Sequence, residues 1–265
     1  MDIVNSVNFS NHTGYENGWE GDVLSGDQLR SLLHGLERNG LLENVEHVLT
    51  GYIGSETFLE AILDVVDSVR KHSNARYVCD PVLGDDDKFY VPESLVEVYK
   101  SKVLPIADVL TPNHFEVEQL TGIKVDSLET AKKACGALHQ MGPSLVFMTS
   151  CIFPSPSTAR SITMIASNRQ SDGNIEQWVV DTPLIPGNYT GTGDLCAALL
   201  LAHTARFPND LAKAMELVSN TMHAVIERTH ESSKSKAVKS SELKLIQSRR
   251  DIESPRIRFR ARRLS

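Results

Sequence analysis

The chain has 265 residues, of which 41% are hydrophobic and 23% are charged. This length and apolar content suffice for one sizeable hydrophobic core. The formal net charge of -7 argues against non-specific binding to nucleic acid or to anionic membranes, so we expect neither as a partner.

Strand-like and helix-like segments alternate, which predicts an α/β fold with a mostly parallel central sheet and helices on both faces. The predicted strands are short apolar segments: 3–9, 47–50, 76–79, 107–110, 145–149, 161–167, 176–180 and 257–264. The strands at 161–167 and 176–180 are predicted to form a β-ribbon, with the polar loop 168–174 between them. The predicted helices have apolar residues at helical spacing: 25–36, 56–71, 92–102, 113–121, 128–141, 195–206 and 211–230. Residues 230–241, rich in Ser and Lys, are predicted to form a loop. We expect these elements to form a single domain over residues 1–265.

The four cysteines show neither C-x-x-C spacing nor a Cys/His cluster, so the sequence predicts no zinc site. Cys79 and Cys196 lie in apolar segments and are predicted to be buried thiols. Cysteines that are predicted to be buried free thiols favour a reducing, cytoplasmic location. The start of the chain lacks the basic and apolar segments of a signal peptide, and we expect none.

The glycine-rich turn Gly191-Thr192-Gly193-Asp194 directly precedes a predicted helix. Glycines allow close backbone approach, and a helix N-terminus presents free N–H groups, so the turn can hold a phosphoryl group. Asp194 at its mouth can take a proton from an attacking hydroxyl. The structural alternative is an Asp that caps the helix. The turn is not a Walker A loop, because no Gly-Lys-Ser/Thr follows.

Two further motifs follow predicted strands. Asp80-Pro81-Val82-Leu83-Gly84-Asp85 carries two carboxylates on a sharp turn, and such oxygens suit Mg²⁺. Thr111-Pro112-Asn113-His114-Phe115-Glu116 places Glu116 one turn into a helix, within reach of a metal or its water. The alternative for the first motif is a capped turn. The alternative for the second is an ordinary capping box.

A fourth motif, Asn8-Phe9-Ser10-Asn11-His12-Thr13-Gly14-Tyr15, follows the first predicted strand. Its dense polar groups beside an aromatic ring can bind a small planar polar substrate. The alternative is an Asn/Gly turn with an incidental histidine. All four motifs lie where a strand ends, which is where open parallel sheets bind ligands.

Together, and in this order, the motifs resemble the pyridoxal kinase family of the ribokinase-like fold. The similar segments span nearly the whole chain: Phe9–Tyr15, Leu49–Tyr52, Val78–Asp85, Tyr90–Pro92, Leu110–Asn113, Gly191–Asp194 and Ile246–Ser248. The resemblance implies ATP-dependent phosphorylation of the 5′-hydroxymethyl group of pyridoxal, pyridoxine and pyridoxamine. It also implies a homodimer. Hydroxymethylpyrimidine kinases share the Gly-Thr-Gly-Asp type of turn.

The resemblance also implies a role for each matching residue. Asp194 would be the catalytic base, and Gly191, Thr192 and Gly193 would bind the moving γ-phosphoryl group. Thr13 and Tyr52 would line the pyridoxal side. The nucleotide side would comprise residues from several loops: Asp80, Asn113, Glu116, Ser150, Ile185, Pro186, Gly187 and Thr192. Residues 85–90 would form a flap over the nucleotide.

Two kinds of cation are implied in the same way. Asp85 and Glu116 would serve Mg²⁺, directly or through water. Asp80, Thr111 and Thr149 would hold a monovalent cation, K⁺ or Na⁺.

Members of this family begin with a further strand, a glycine-rich turn and a helix, whereas Met1 here falls just before the second strand. We therefore expect a fold whose first strand and helix are missing from the N-terminus. One alternative is a catalytically impaired truncated isoform or a binding protein derived from a kinase. Another is a kinase for a different planar alcohol, such as hydroxymethylpyrimidine.

Overall fold

The computed structural model describes residues 2–154, 160–232 and 241–264. In these ranges the strands are β1 (Val7–Phe9), β2 (Gly21–Val23), β3 (His47–Thr50), β4 (Arg76–Cys79), β5 (Gly84–Asp85), β6 (Lys88–Phe89), β7 (Val109–Leu110), β8 (Leu145–Cys151), β9 (Ser161–Arg169), β10 (Ile175–Pro183) and β11 (Arg262–Arg263). The helices are α1 (Gly26–Arg38), α2 (Glu56–His72), α3 (Leu95–Val98), α4 (His114–Thr121), α5 (Leu128–Met141), α6 (Thr192–Arg206), α7 (Leu211–Ser232) and α8 (Arg249–Glu253). In the described part of the chain, no helix has the length and apolar character needed to cross a membrane.

Seven strands form the main sheet in the order β11-β10-β9-β8-β7-β4-β3. Three neighbouring pairs, from β3 to β8, are parallel, and the three from β8 to β11 are antiparallel. The sheet is therefore mixed rather than mostly parallel, because the predicted 161–167 and 176–180 strands form an antiparallel hairpin. Strand β1 pairs with β2 in a separate hairpin.

Apolar side chains cover both faces of the main sheet, as the pattern predicts. One face, with Tyr77 and Leu110 among its strand residues, packs against helices α1 to α5. The other face, with Val78 and Phe147, packs against α6 and α7. All four cysteines are buried and free. Burial raises the pKa of Cys79 to about 12, so this thiol stays protonated.

Capping side chains set the helix boundaries, which explains why most predicted bounds are close. Ser25 and Ser127 each accept a hydrogen bond from a backbone N–H of the first turn of α1 and α5. Gly122 closes α4 in the left-handed conformation, with φ 71°.

Four predicted segments differ most from the structure. The strand predicted over 3–9 is confined to β1 and pairs with β2 outside the main sheet. The helix predicted from Pro92 begins at Leu95, and a π-helical turn (Tyr99–Val103) and a 3-10 turn (Leu104–Ile106) follow it. The predicted 257–264 strand pairs with β10 only over β11, although Phe259 and Ala261 pack against the core. Helix α7 extends through Ser232, and residues 233–240 of the predicted 230–241 loop lie outside the described residues.

The hairpin β5–β6 occupies the segment expected to cover the nucleotide. Asp85 pairs with Lys88, so Asp86 and Asp87 form a two-residue loop. Their φ values are 48° and 58°. Type I′ hairpin turns require positive φ at both positions, which Gly adopts without steric cost and which Asn and Asp adopt at some cost. This turn therefore stores backbone strain.

We predict that Asp87→Gly stabilises the protein by about 1 kcal/mol, because glycine adopts positive φ without steric cost. The free energy of unfolding from chemical denaturation measures this. Gly173→Ala is the matched control: Gly173 has φ 86°, and an added Cβ there would have no neighbour within 4 Å. Alanine at 173 should destabilise by a similar amount. Equal stability of Asp87→Gly and the original chain would show that the turn is unstrained.

Candidate active site

The carboxyl ends of β3, β4 and β7 and the start of α6 meet at one edge of the sheet. A methyl group placed on Gly51, after β3, would lie 3.5 Å from Oδ1 of Asp194. One placed on Gly193 would lie 3.6 Å from Oδ2 of Asp80, after β4. The structure thus brings together the first two predicted motifs, which are more than a hundred residues apart in sequence.

The glycine-rich turn leads directly into α6. Gly191 is the N-cap residue, in the left-handed conformation with φ 85°, and no side chain caps the helix. Asp194 lies in the first turn rather than at the N-cap, so the interpretation of Asp194 as a simple N-cap is wrong. The first N–H groups of α6 have no side-chain cap, so they can bind an anion.

Asp80 is the buried carboxylate at the centre of this edge, with 6% of its surface exposed. Its Oδ1 accepts a hydrogen bond of 3.0 Å from the Thr111 hydroxyl. Burial, and to a lesser extent the nearby Asp194, raises the pKa of Asp80 to about 7. No positively charged side chain in the described ranges offsets these effects on Asp80.

Glu116 is also buried, but its oxygens point at the backbone. Oε1 accepts from the Leu83 N–H at 3.0 Å, and Oε2 accepts from the Asn113 N–H at 2.8 Å. Asn113 Oδ1 in turn accepts from the Glu116 N–H, which completes a capping box. The capping interpretation is confirmed. Glu116 also joins the 80–85 turn to the start of α4. Burial and the charge of Asp80 raise the pKa of Glu116 well above its ordinary value.

Asn113 and Asp85 complete this acidic side of the site. Asn113 Nδ2 donates to the Gly84 carbonyl oxygen at 2.7 Å. Asp85 Oδ1 accepts from the Asp86 N–H at 2.9 Å, and burial raises the pKa of the Asp85 carboxyl.

The donor set favours a divalent cation that also binds phosphate. Among the described residues, no three His, Cys, Asp or Glu side chains form a ready-made metal cluster. Mg²⁺ is usually held by one or two carboxylates, with waters and substrate phosphates completing its shell. Asp80 and Asp85, whose charged forms are disfavoured by burial, fit that mode.

The ends of β7 and β8 bring the other nucleotide-side residues to the same edge. Thr149 donates to the Pro112 carbonyl oxygen from its N–H at 2.9 Å and from its hydroxyl at 3.4 Å. The Ser150 carbonyl oxygen lies 3.3 Å from His114 Nδ1. The predicted monovalent-cation residues Asp80, Thr111 and Thr149 therefore lie on adjacent strand ends.

The predicted adenine-side loop Ile185-Pro186-Gly187 connects β10 to the turn before α6. Gly187 has φ 139°, and an added Cβ would lie 2.8 Å from the Tyr189 hydroxyl. That hydroxyl donates to the Pro186 carbonyl oxygen at 2.9 Å and lies 2.9 Å from His230 Nδ1. Tyr189 and His230 were not predicted to belong to this loop, because no motif in the sequence indicates their contact.

The predicted substrate-side segment forms an exposed loop between β1 and β2. The Ser6 hydroxyl donates to the Tyr52 carbonyl oxygen at 3.1 Å, which places this hairpin beside the turn after β3. Thr13 is exposed at the tip of the loop, and 40% of the Tyr52 surface is exposed. Phe9 and Trp19 pack their rings 3.8 Å apart beneath the loop.

Known proteins match this chain along nearly its full length. The family model described as phosphomethylpyrimidine kinase matches residues 38–238. A pyridoxal kinase of Arabidopsis thaliana is 45% identical over 100% of this chain and 85% of that protein. The Homo sapiens pyridoxal kinase is 43% identical over 97% of this chain and 87% of that protein. The structure of pyridoxal kinase from Leishmania donovani with ADP and pyridoxamine superposes with a TM-score of 0.90, at 30% identity, over 99% of this chain and 88% of that one. The predicted ribokinase-like fold is confirmed.

We predict that, without divalent cations, ionisation of Asp80 lowers the melting temperature of the original chain relative to Asp80→Asn as pH rises from about 4 to about 7. The comparison with Asp80→Asn is needed because burial lowers the pKa of His139, His203 and His223, and these histidines favour the folded state as pH rises. The folded pKa of Asp80, about 7, exceeds its unfolded value, so the stability present at low pH is lost as pH rises through 7. Mg²⁺ should therefore raise the melting temperature more at pH 8 than at pH 5, where a proton competes with it.

Asp80→Asn should lack this fall with pH and should weaken the Mg²⁺ effect. The matched control is Asp67→Asn, on the exposed surface of α2, where Asp67 pairs with Lys71. The Asp67→Asn variant should keep both the fall in melting temperature with pH, relative to Asp80→Asn, and the stabilisation by Mg²⁺. A Mg²⁺ effect of equal size in Asp80→Asn would show that Asp80 does not hold the cation.

Proposed function

We propose a role for each part of the site from one premise: the chain belongs to the pyridoxal kinase family. The reaction is ATP-dependent phosphorylation of the 5′-hydroxymethyl group of pyridoxal, pyridoxine or pyridoxamine, a step of vitamin B6 salvage. The observation that carries our assignment of roles is the position of Asp194, in the first turn of α6 and beside the buried carboxylate edge.

Asp194 acts as the general base. Its carboxylate takes the proton of the substrate hydroxyl while that oxygen forms a bond to the γ-phosphorus of ATP. The bond from this phosphorus to the β–γ bridging oxygen breaks, and ADP leaves. Asp194 is more exposed than Asp80, so its carboxylate can meet the alcohol directly.

The backbone N–H groups of Gly191, Thr192 and Gly193 hold the γ-phosphoryl group. They have no side-chain cap, and the positive end of the helix dipole faces the same point. Charge that develops on the transferred group is therefore stabilised by groups that are already oriented.

Asp80 and Asp85 would hold Mg²⁺ together with the phosphates of ATP. When bound, Mg²⁺ would supply positive charge that neutralises the phosphates and favours transfer of the γ-phosphoryl group. Glu116 acts mainly by holding the 80–85 turn in place, and it would reach the ion through water. Asp80, Thr111 and Thr149 are the proposed site of the K⁺ or Na⁺ ion.

The remaining predicted residues divide between the two substrates. Thr13 and Tyr52 face the pyridoxal side, on the two segments that the Ser6 hydrogen bond joins. Asn113 and Ser150 lie at the strand ends on the nucleotide side, and Ile185, Pro186 and Gly187 pack on adenine.

A kinase for hydroxymethylpyrimidine is the second candidate, and the description of the matching family model favours it. That match begins at residue 38 and leaves out the substrate-side loop. The pyridoxal kinases of Arabidopsis and Homo sapiens match over 100% and 97% of this chain. This broader match favours pyridoxal as the substrate.

We further propose that the protein is a cytoplasmic homodimer with one catalytic domain per chain. Four buried, free cysteines support a reducing compartment. The homodimer follows from family membership alone, and its mass in solution tests it.

Asp194→Asn should lower kcat by about 10²–10⁴-fold, because the amide cannot take the proton from the alcohol. Coupled detection of ADP release at saturating ATP and pyridoxal measures this. Asp67→Asn is the control and should retain the full rate. If Asp194→Asn keeps most of the rate, Asp194 is not the base.

A substrate panel separates the candidate functions. We expect turnover of pyridoxal at micromolar concentration and a lower kcat/KM for hydroxymethylpyrimidine. The opposite preference would identify a pyrimidine kinase. Tight pyridoxal binding with no turnover would identify a binding protein derived from a kinase.

A further inference from the structure

The substrate-side loop, residues 10–18, is held in shape largely by its own hydrogen bonds. Asn11 Nδ2 donates to the carbonyl oxygens of His12 and Gly18, each at 3.0 Å. The Gly14 N–H donates to His12 Nδ1 at 3.1 Å. These contacts fix the conformation of the loop, but they do not fix its position relative to the rest of the site.

A hydrogen bond from Tyr15 ties the loop to a distant part of the chain. The Tyr15 hydroxyl donates to Oε1 of Glu242 at 2.7 Å, across 227 positions of sequence. A phenol that donates to a carboxylate at this distance makes a charge-assisted hydrogen bond, which is stronger than a neutral one. Accordingly, this bond raises the pKa of Tyr15, so the hydroxyl remains a donor.

Glu242 lies directly against the chain that leads into the phosphoryl-binding turn. It forms an isolated parallel bridge with Thr190, and the Thr190 N–H donates to the Ser241 carbonyl oxygen at 3.0 Å. Thr190 immediately precedes Gly191, the N-cap of α6, and Asp194 follows within one turn. A continuous path of contacts therefore runs from Tyr15 through Glu242 and Thr190 to the catalytic turn.

We propose that Tyr15 and Glu242 form a latch that sets the distance between the substrate-side loop and the turn that carries Asp194. Tyr15 is then a positioning residue: it acts through Glu242 and Thr190, and it fixes where the bound alcohol lies relative to the base. This inference rests on the proposed function, because it assumes that residues 10–18 hold the alcohol. A small displacement of a reacting group lowers the rate strongly, so the latch affects catalysis more than folding.

A second tyrosine close in sequence to the same turn provides a matched control. The Tyr189 hydroxyl also makes a long-range contact, but it joins His230 to the Pro186 carbonyl oxygen on the adenine side. Loss of this hydroxyl should affect the nucleotide, whereas loss of the Tyr15 hydroxyl should affect the alcohol.

The test compares Tyr15→Phe, Glu242→Ala, the double variant and Tyr189→Phe in steady-state assays with each substrate varied in turn. Both Tyr15→Phe and Glu242→Ala should lower kcat/KM for pyridoxal by about 10-fold, the scale of a lost hydrogen bond to a charged group. Their KM for ATP and their melting temperatures should match the original chain. The double variant should lose no more than either single variant, and Glu242→Gln, which keeps an acceptor oxygen, should recover most of the loss. Tyr189→Phe should instead raise KM for ATP.

Amide hydrogen exchange tests the latch without relying on activity. In Tyr15→Phe, the amides of residues 10–18 and of 190–194 should both exchange faster, while those of the distant β9–β10 hairpin should not change. Additive losses in the double variant, or unchanged exchange at 190–194, would overturn the latch. Failure of the original chain to phosphorylate pyridoxal would overturn the proposed function instead, and the exchange result would still decide whether the two segments are coupled.

Discussion

The Asp80 carboxylate is buried at the end of β4 with Asp194 nearby and with Thr111 as its hydrogen-bond donor. Burial of a charged carboxylate costs free energy unless hydrogen bonds or a cation offset it. The single hydrogen bond from the Thr111 hydroxyl offsets only a small part of this cost, so the pKa of Asp80 is raised to about 7. This makes the site a place where a cation binds favourably, and the rest of the structure keeps the carboxylate in that position.

The surrounding elements maintain this arrangement through backbone contacts. Glu116 uses both of its oxygens to bind the 80–85 turn and the start of α4. The N-terminus of α6 lies opposite, where free N–H groups favour negative charge. In the proposed function, a phosphate with its Mg²⁺ would lie between these two surfaces, because the acidic side attracts the metal and the helix end attracts the phosphate. The same separation of charge would leave Asp194 to act on the alcohol as the proposed base.

Local signals in the sequence predicted most of the helices and the residues of the candidate site. Capping residues fixed the helix ends at Ser25, Asn113 and Ser127, and strand-end motifs predicted which residues gather at the sheet edge. The β-ribbon predicted over 161–167 and 176–180 is confirmed as the β9–β10 hairpin, but its place beside β8 in the main sheet was not predictable, because it depends on pairing partners rather than on a local pattern. The Tyr15–Glu242 and Tyr189–His230 contacts were not predictable, because each joins residues far apart in sequence with no motif between them. The strain at Asp86 and Asp87 was also missed, since Asp-Asp is not a typical hairpin pair.

As a pyridoxal kinase, this chain transfers the γ-phosphoryl group of ATP to the 5′-hydroxyl of pyridoxal. The most direct measurement uses ATP that is labelled at the γ-phosphorus. The purified protein is incubated with this ATP, pyridoxal and Mg²⁺, and the product that carries the label is identified. We expect the label in pyridoxal 5′-phosphate, in an amount equal to the ADP formed. Release of ADP with the label in inorganic phosphate, or no transfer while both substrates bind, would contradict this activity.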